Sequence, residues 1–275
     1  MAAFADITLS GNGRASRVTN AIAMASRRTG VDFAYLLGQA KIESSLNPTA
    51  RATTSSARGL YQFIDQSWLA VIDKHGSGHG LGWASDAISR GGNGRYYVSD
   101  PNLRQQILDL RNHPETASVM AAEHAADNKA YLEKRLGREA EPVDLYMAHF
   151  LGVGGAAKFL GAHDRAPGTA AASHFPAAAR ANRAVFYDRQ GNARSFADIR
   201  ERFAVKLRSG ADSIDTGPVR YAQTPVPAPQ GERMVQPADY VRIETQRLAQ
   251  QADVSIAPRP VTARLAYLML ATLGR

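Results

Sequence analysis

The 275-residue chain has no cysteine. That excludes a disulfide framework, a thiol nucleophile and a thiolate metal site, and is compatible with an oxidising compartment. There is no apolar run long enough to span a bilayer, so no transmembrane segment is expected. Residues 1–25 lack a basic start followed by an apolar core, so no secretory signal peptide is visible. Excess acidity is missing too: 33 Lys and Arg face 25 Asp and Glu, a formal net charge of +8. Residues 210–275 carry seven Arg against six Asp or Glu, so nearly all of the excess lies in the first 209. A basic body suits an anionic polymer. Nucleic acid is not favoured, because no Arg/Lys stripe interleaves with aromatics and no zinc-finger spacing occurs.

What the chain does have is a helical pattern nearly throughout. Asp32 reads as an N-cap, and Phe33, Leu36, Leu37 and Ala40 form an apolar stripe at helical spacing. Asn47 and Pro48 stop this helix, which places Glu43 in its last turn. A helix C-terminus and partial burial both disfavour a charged carboxylate, the condition a general acid needs. Asp65 reads as the cap of the next helix. From His75 to Asp100 the chain is rich in glycine (Gly76, Gly78, Gly80, Gly82, Gly91, Gly92, Gly94) and reads as a long loop insertion, a length often tied to function. His75 and His79 lie there at a spacing that suits a metal only on a helix, so no metal site is expected. Asp144 to Gly152 has helical periodicity ending at a glycine.

Glu43 and Ser44, Asn47 and Pro48, then Ser56, Ala57, Arg58, Gly59, Leu60, Tyr61 and Gln62 together resemble the soluble lytic transglycosylase domain. This is a lysozyme-like family that cleaves bacterial peptidoglycan. The family pattern is Glu-Ser, Asn-Pro, a hydroxyl residue, then Gly-Ala-x-Gly-Leu-Met-Gln. Ser56 stands at its first Gly, Tyr61 at its Met, and Thr53 at the hydroxyl position, one residue further from Glu43 than usual. Gly59 admits positive φ or close backbone approach, and Gln62 has the donors and acceptor to bind sugar groups. A later helix of the family carries Ala-Tyr-Asn-Ala-Gly, whose Tyr helps position the catalytic carboxyl group. Aligned on Gly152, His149 takes that Tyr position and Phe150 the Asn position. His149 then reads either as a partner of Glu43 or substrate, or as a satisfied core residue.

The resemblance implies a mainly α fold: a lysozyme-like helical domain over residues 1–209 with the glycine-rich loop inserted. A Pro-rich linker (210–237) and a helical C-terminal tail (238–275) follow, the tail being a candidate for docking a protein partner, a membrane surface or the enzyme itself. It implies cleavage of the β-1,4 bond between N-acetylmuramic acid and N-acetylglucosamine with formation of a 1,6-anhydro ring. Glu43 acts as acid and then base, without cofactor or metal. Thr53, Ser56, Gly59, Tyr61, Gln62 and His149 are the expected substrate-binding set, and peptidoglycan glycan strands the partner. Two alternatives stay open: a hydrolytic muramidase or endolysin with a second carboxylate (Asp65 or Asp86), and a non-catalytic wall-binding assembly protein of a flagellum, pilus or secretion machine. The expected location is the periplasm or cell wall, reached by removal of a leader, a specialised secretion route, a phage particle or lysis.

Overall fold

The computed structural model describes residues 9–212, which are mainly helical with few strands. The segments read as linker and C-terminal tail lie outside the described residues, apart from the first three positions. Helices α1 (Leu9–Thr29) and α2 (Phe33–Ser44) are joined by a tight turn. The Asp32 carboxylate accepts a hydrogen bond from the Tyr35 amide at 2.7 Å and so caps α2. The helix ends not at the proline but earlier. Ser45 and Leu46 both take left-handed backbone, with φ of 54° and 62°. Strain of this kind costs on the order of 1–3 kcal/mol per residue and persists only where surroundings overdetermine it.

Helix α3 (Asp65–His75) follows the turn that carries Gly59 and Gln62. Asp65 does not cap it: Ile64 is the N-cap, without a side-chain bond. Asp65 instead binds Arg104 at 2.7 Å and the buried Arg111 at 2.9 Å, and two guanidinium groups outcompete a helix terminus for a carboxylate.

The glycine-rich insertion is folded rather than a bare loop. A 3₁₀ turn over Gly76–His79 leads to α4 (Gly82–Ser85) and a two-stranded antiparallel hairpin, β1 (Ser89–Arg90) with β2 (Tyr96–Tyr97). Gln66 pins the hairpin to α3. Its side-chain amide donates to the Tyr96 carbonyl and accepts from the Tyr96 amide, both at 2.9 Å. His75 and His79 likewise serve as anchors, 2.8 Å from Asp127 and 2.7 Å from Glu123 respectively.

Helix α5 (Pro101–Asp109) is capped by Asp100 with Pro101 in its first turn. Helix α6 (Pro114–Leu136) begins on Pro114, ends at left-handed Gly137 and is the central helix of the core. Helix α7 (Pro142–Leu151) opens with a capping box between Glu141 and Asp144. Gly152 separates it from α8 (Val153–Arg165), after which come the short helices α9 (Ala171–His174), α10 (Pro176–Ala181) and α11 (Arg183–Phe186). The last described element, α12 (Phe196–Asp212), packs along α2 and α7. Small residues permit its close approach to α2: a Cβ on Gly210 would meet the Gly38 carbonyl oxygen at 2.9 Å. The boundary read at Ser209 therefore cuts through this helix. It continues to Asp212, and Gly210 is buried within the contact.

Asp144 is wholly buried and receives Arg138 at 2.7 Å and Arg200 at 2.9 Å. That network joins the α6–α7 connection, α7 and α12. It fixes the relative position of the two helices that build the site below.

Candidate active site

Glu43 sits in the last turn of α2 with its side chain 4% exposed. A carboxyl group withdrawn from water there requires polar company, and α7 supplies it. His149 Nε2 lies 3.5 Å from Glu43 Oε1. Tyr146, one turn earlier on α7, stacks its ring on that of His149 with centroids 6.3 Å apart and planes inclined by 14°. Burial, followed by the nearby Glu43 charge, holds the Tyr146 phenol well above its ordinary range. Its proton is therefore kept, and the hydroxyl remains a donor toward the carboxylate.

Two further groups complete the surroundings. From α12, the Lys206 ammonium donates to the Tyr146 hydroxyl at 3.3 Å. Burial lowers the Lys206 pKa, and the charge of Glu43 opposes that shift. From α2 itself, Tyr35 is fully buried; its phenol is pushed up by burial first, then by Tyr61 and by Glu43. Glu43 thus faces phenols, an imidazole and an ammonium. Such a set stabilises a carboxylate after its proton has left, because the dipoles and the cation are already in place.

The turn ahead of α3 is built from backbone. Gly59 has φ +79°, and a Cβ there would run into the Arg111 carbonyl oxygen. Its amide donates to Ala50 O at 2.9 Å, and the Gln62 side-chain nitrogen donates to Gly59 O at 2.9 Å and to Ala50 O at 3.3 Å. Beneath it, Arg111 Nη1 donates to the carbonyls of Ser56 (2.9 Å) and Phe63 (3.0 Å).

The expected set therefore divides. Glu43 and His149 come together, and Gly59 takes the backbone expected of it. Gln62 is a correction in part: its amide nitrogen is spent on holding the turn, since two carbonyls already face it. Tyr61 is a correction outright. It is 1% exposed within the hydrophobic core, so its ring supports the turn from below and does not reach solvent. Thr53 and Ser56 are exposed on the outer part of the turn. Ser56 Oγ accepts from the Asp65 amide at 3.2 Å and lines a groove of about 830 Å³ with Asp65, Gln66, Tyr96 and Arg104. Among the described residues, no hydrogen bond or ion pair joins Glu43 to Thr53, Ser56 or Gln62.

Sequence reasoning missed Tyr146, Lys206 and Tyr35. For Tyr146 a signal was present: it lies three residues before His149, on the same helical face. Nothing local marked Lys206, which a distant helix carries in. No protein-family model matches the chain.

Proposed function

We propose that this chain is a peptidoglycan lytic transglycosylase on a lysozyme-like helical fold. The observation that carries the reading is the withdrawn Glu43 carboxyl group at the end of α2, faced by His149 and Tyr146 of α7. Around it stand the residues whose order along the chain resembles that family.

In this mechanism Glu43 gives its proton to the glycosidic oxygen as the C1–O bond breaks. The C6 hydroxyl oxygen of the muramic residue then attacks C1, and its proton passes to Glu43. A 1,6-anhydro ring closes, the acid is regenerated and no water is consumed. Tyr146, held by Lys206, orients the carboxyl group and stabilises it while ionised, and His149 adds a second polar contact. The basic surface favours the carboxylated wall polymer, which would put the site of action in the periplasm or at the cell wall.

A hydrolytic glycosidase uses a pair of carboxyl groups across the scissile bond. Asp65 is committed to Arg104 and Arg111, and Asp86 lies exposed at the end of α4. That favours the single-carboxylate route. Digestion of purified sacculi followed by mass spectrometry tests it: anhydro-muropeptides are expected, and reducing-end products would reject the reading.

A further inference from the structure

A concavity of about 570 Å³ lies between α6, α8 and α9, lined by none of the residues placed around Glu43. Helix α6 contributes Tyr131 and Arg135, one turn apart on one face, and α8 contributes Lys158 and Arg165. His174 and Phe175 close it from the end of α9. No Asp or Glu belongs to the lining. Among the described residues, Arg135, Lys158 and Arg165 form no ion pair and no hydrogen bond.

Cations nearby are treated differently. Lys129 of α6 meets Glu133 and Glu139, and Arg138 is shared by Asp144 and Asp164. Three uncompensated cations around one recess repel each other, and low-dielectric walls concentrate their potential on the space between them. Tyr131 remains 45% exposed at the rim and offers an aromatic face.

We infer that this recess binds a phosphate ester: a multiply charged anion carried on a ring-bearing body. The charge count decides against a lone carboxylate, which would offset one cation and leave two facing each other. Two guanidinium forks and an ammonium match the several acceptor oxygens of a phosphate, and the Tyr131 face suits the ring. A concave site of this volume fits a discrete group better than a nucleic-acid duplex, which needs an extended surface.

Isothermal titration of the full chain with pyrophosphate and with phenyl phosphate tests the assignment, with glutarate and a 20-base-pair DNA duplex as comparators. Both phosphates should bind saturably at one site, and more weakly at higher salt. The Lys158→Gln, Arg165→Gln double variant should lose at least about tenfold in affinity for both, the scale of two lost charge-assisted contacts. Tyr131→Ala should weaken phenyl phosphate and spare pyrophosphate. All three positions are exposed, and an unchanged unfolding midpoint confirms that the variants fold. The assignment is overturned by no saturable binding up to about 10 mM, by equal binding in the double variant, or by glutarate binding as tightly. DNA binding more tightly than either phosphate, and losing affinity in the double variant, would assign the recess to a nucleic-acid surface instead.

Discussion

His149 Nε2 stands 3.5 Å from Glu43 Oε1, although the two belong to different helices, α7 and α2. The contact makes the acid answerable to α7. Replacing His149 by Ala is expected to lower sacculus-clearing activity about tenfold, the scale of one lost charge-assisted hydrogen bond. The loss should be smaller than that from altering Glu43 itself. Wild-type turnover in the variant would reduce His149 to a packing residue.

Glu43→Gln removes the transferable proton while keeping size and hydrogen-bonding shape. Activity on purified sacculi should fall by at least about a hundredfold, with circular dichroism and unfolding midpoint close to wild type. A folded variant that retains most of its clearing activity would move the chemistry elsewhere.

Tyr146→Phe keeps the ring stacked on His149 but deletes the hydroxyl between Lys206 and Glu43. The expected result is a kcat lower by about tenfold with KM little changed, because the contact acts on the carboxyl group rather than on substrate. Steady-state kinetics on a soluble glycan fragment separates the two; a change confined to KM would contradict this role.

Asp144→Asn leaves Arg138 and Arg200 facing a neutral group at a fully buried position. Breaking one side of such a network costs about 3–5 kcal/mol. Urea unfolding should show a lower midpoint by that amount, and α12 should become more open to hydrogen exchange. A loss below about 1 kcal/mol would mean that water relieves the buried charges.

Gly59→Ala meets two penalties at once, positive φ and the Arg111 carbonyl oxygen. The turn has to shift, so stability should drop by more than about 1 kcal/mol. Activity should fall beyond what the lost stability explains. Unchanged unfolding would show that the turn adapts freely.

His124 sits edge-on to the Phe63 ring on α6. Its pKa is pushed down to about 4, first by burial and then by the neighbouring His149. In the unfolded chain the imidazole titrates near its ordinary 6.5. Between those values the unfolded state binds more protons, so stability is complete above pH 6.5 and is lost as pH falls toward 4. His124→Leu should flatten urea midpoints across this window; an unchanged pH slope would point to other groups.

The sequence by itself determined the elements whose signals are local. Asp32 caps α2 because a short carboxylate reaches the amide three residues on. Glu43 falls in the last turn because the helix must stop before Pro48. Gly59 marks left-handed backbone because a Cβ makes that conformation costly. Each depends on a few neighbouring residues, so each could be read without the fold. Only the tertiary structure decided what surrounds Glu43. Tyr146 and Lys206 enter through helix faces whose orientation is set by packing and by the Asp144 network between α7 and α12. Tyr61 is turned inward because the Gly59 turn closes over the core. Which face of a helix meets which neighbour is the outcome of burying distant apolar stripes together. A linear motif carries the order of residues along the chain, but not that choice.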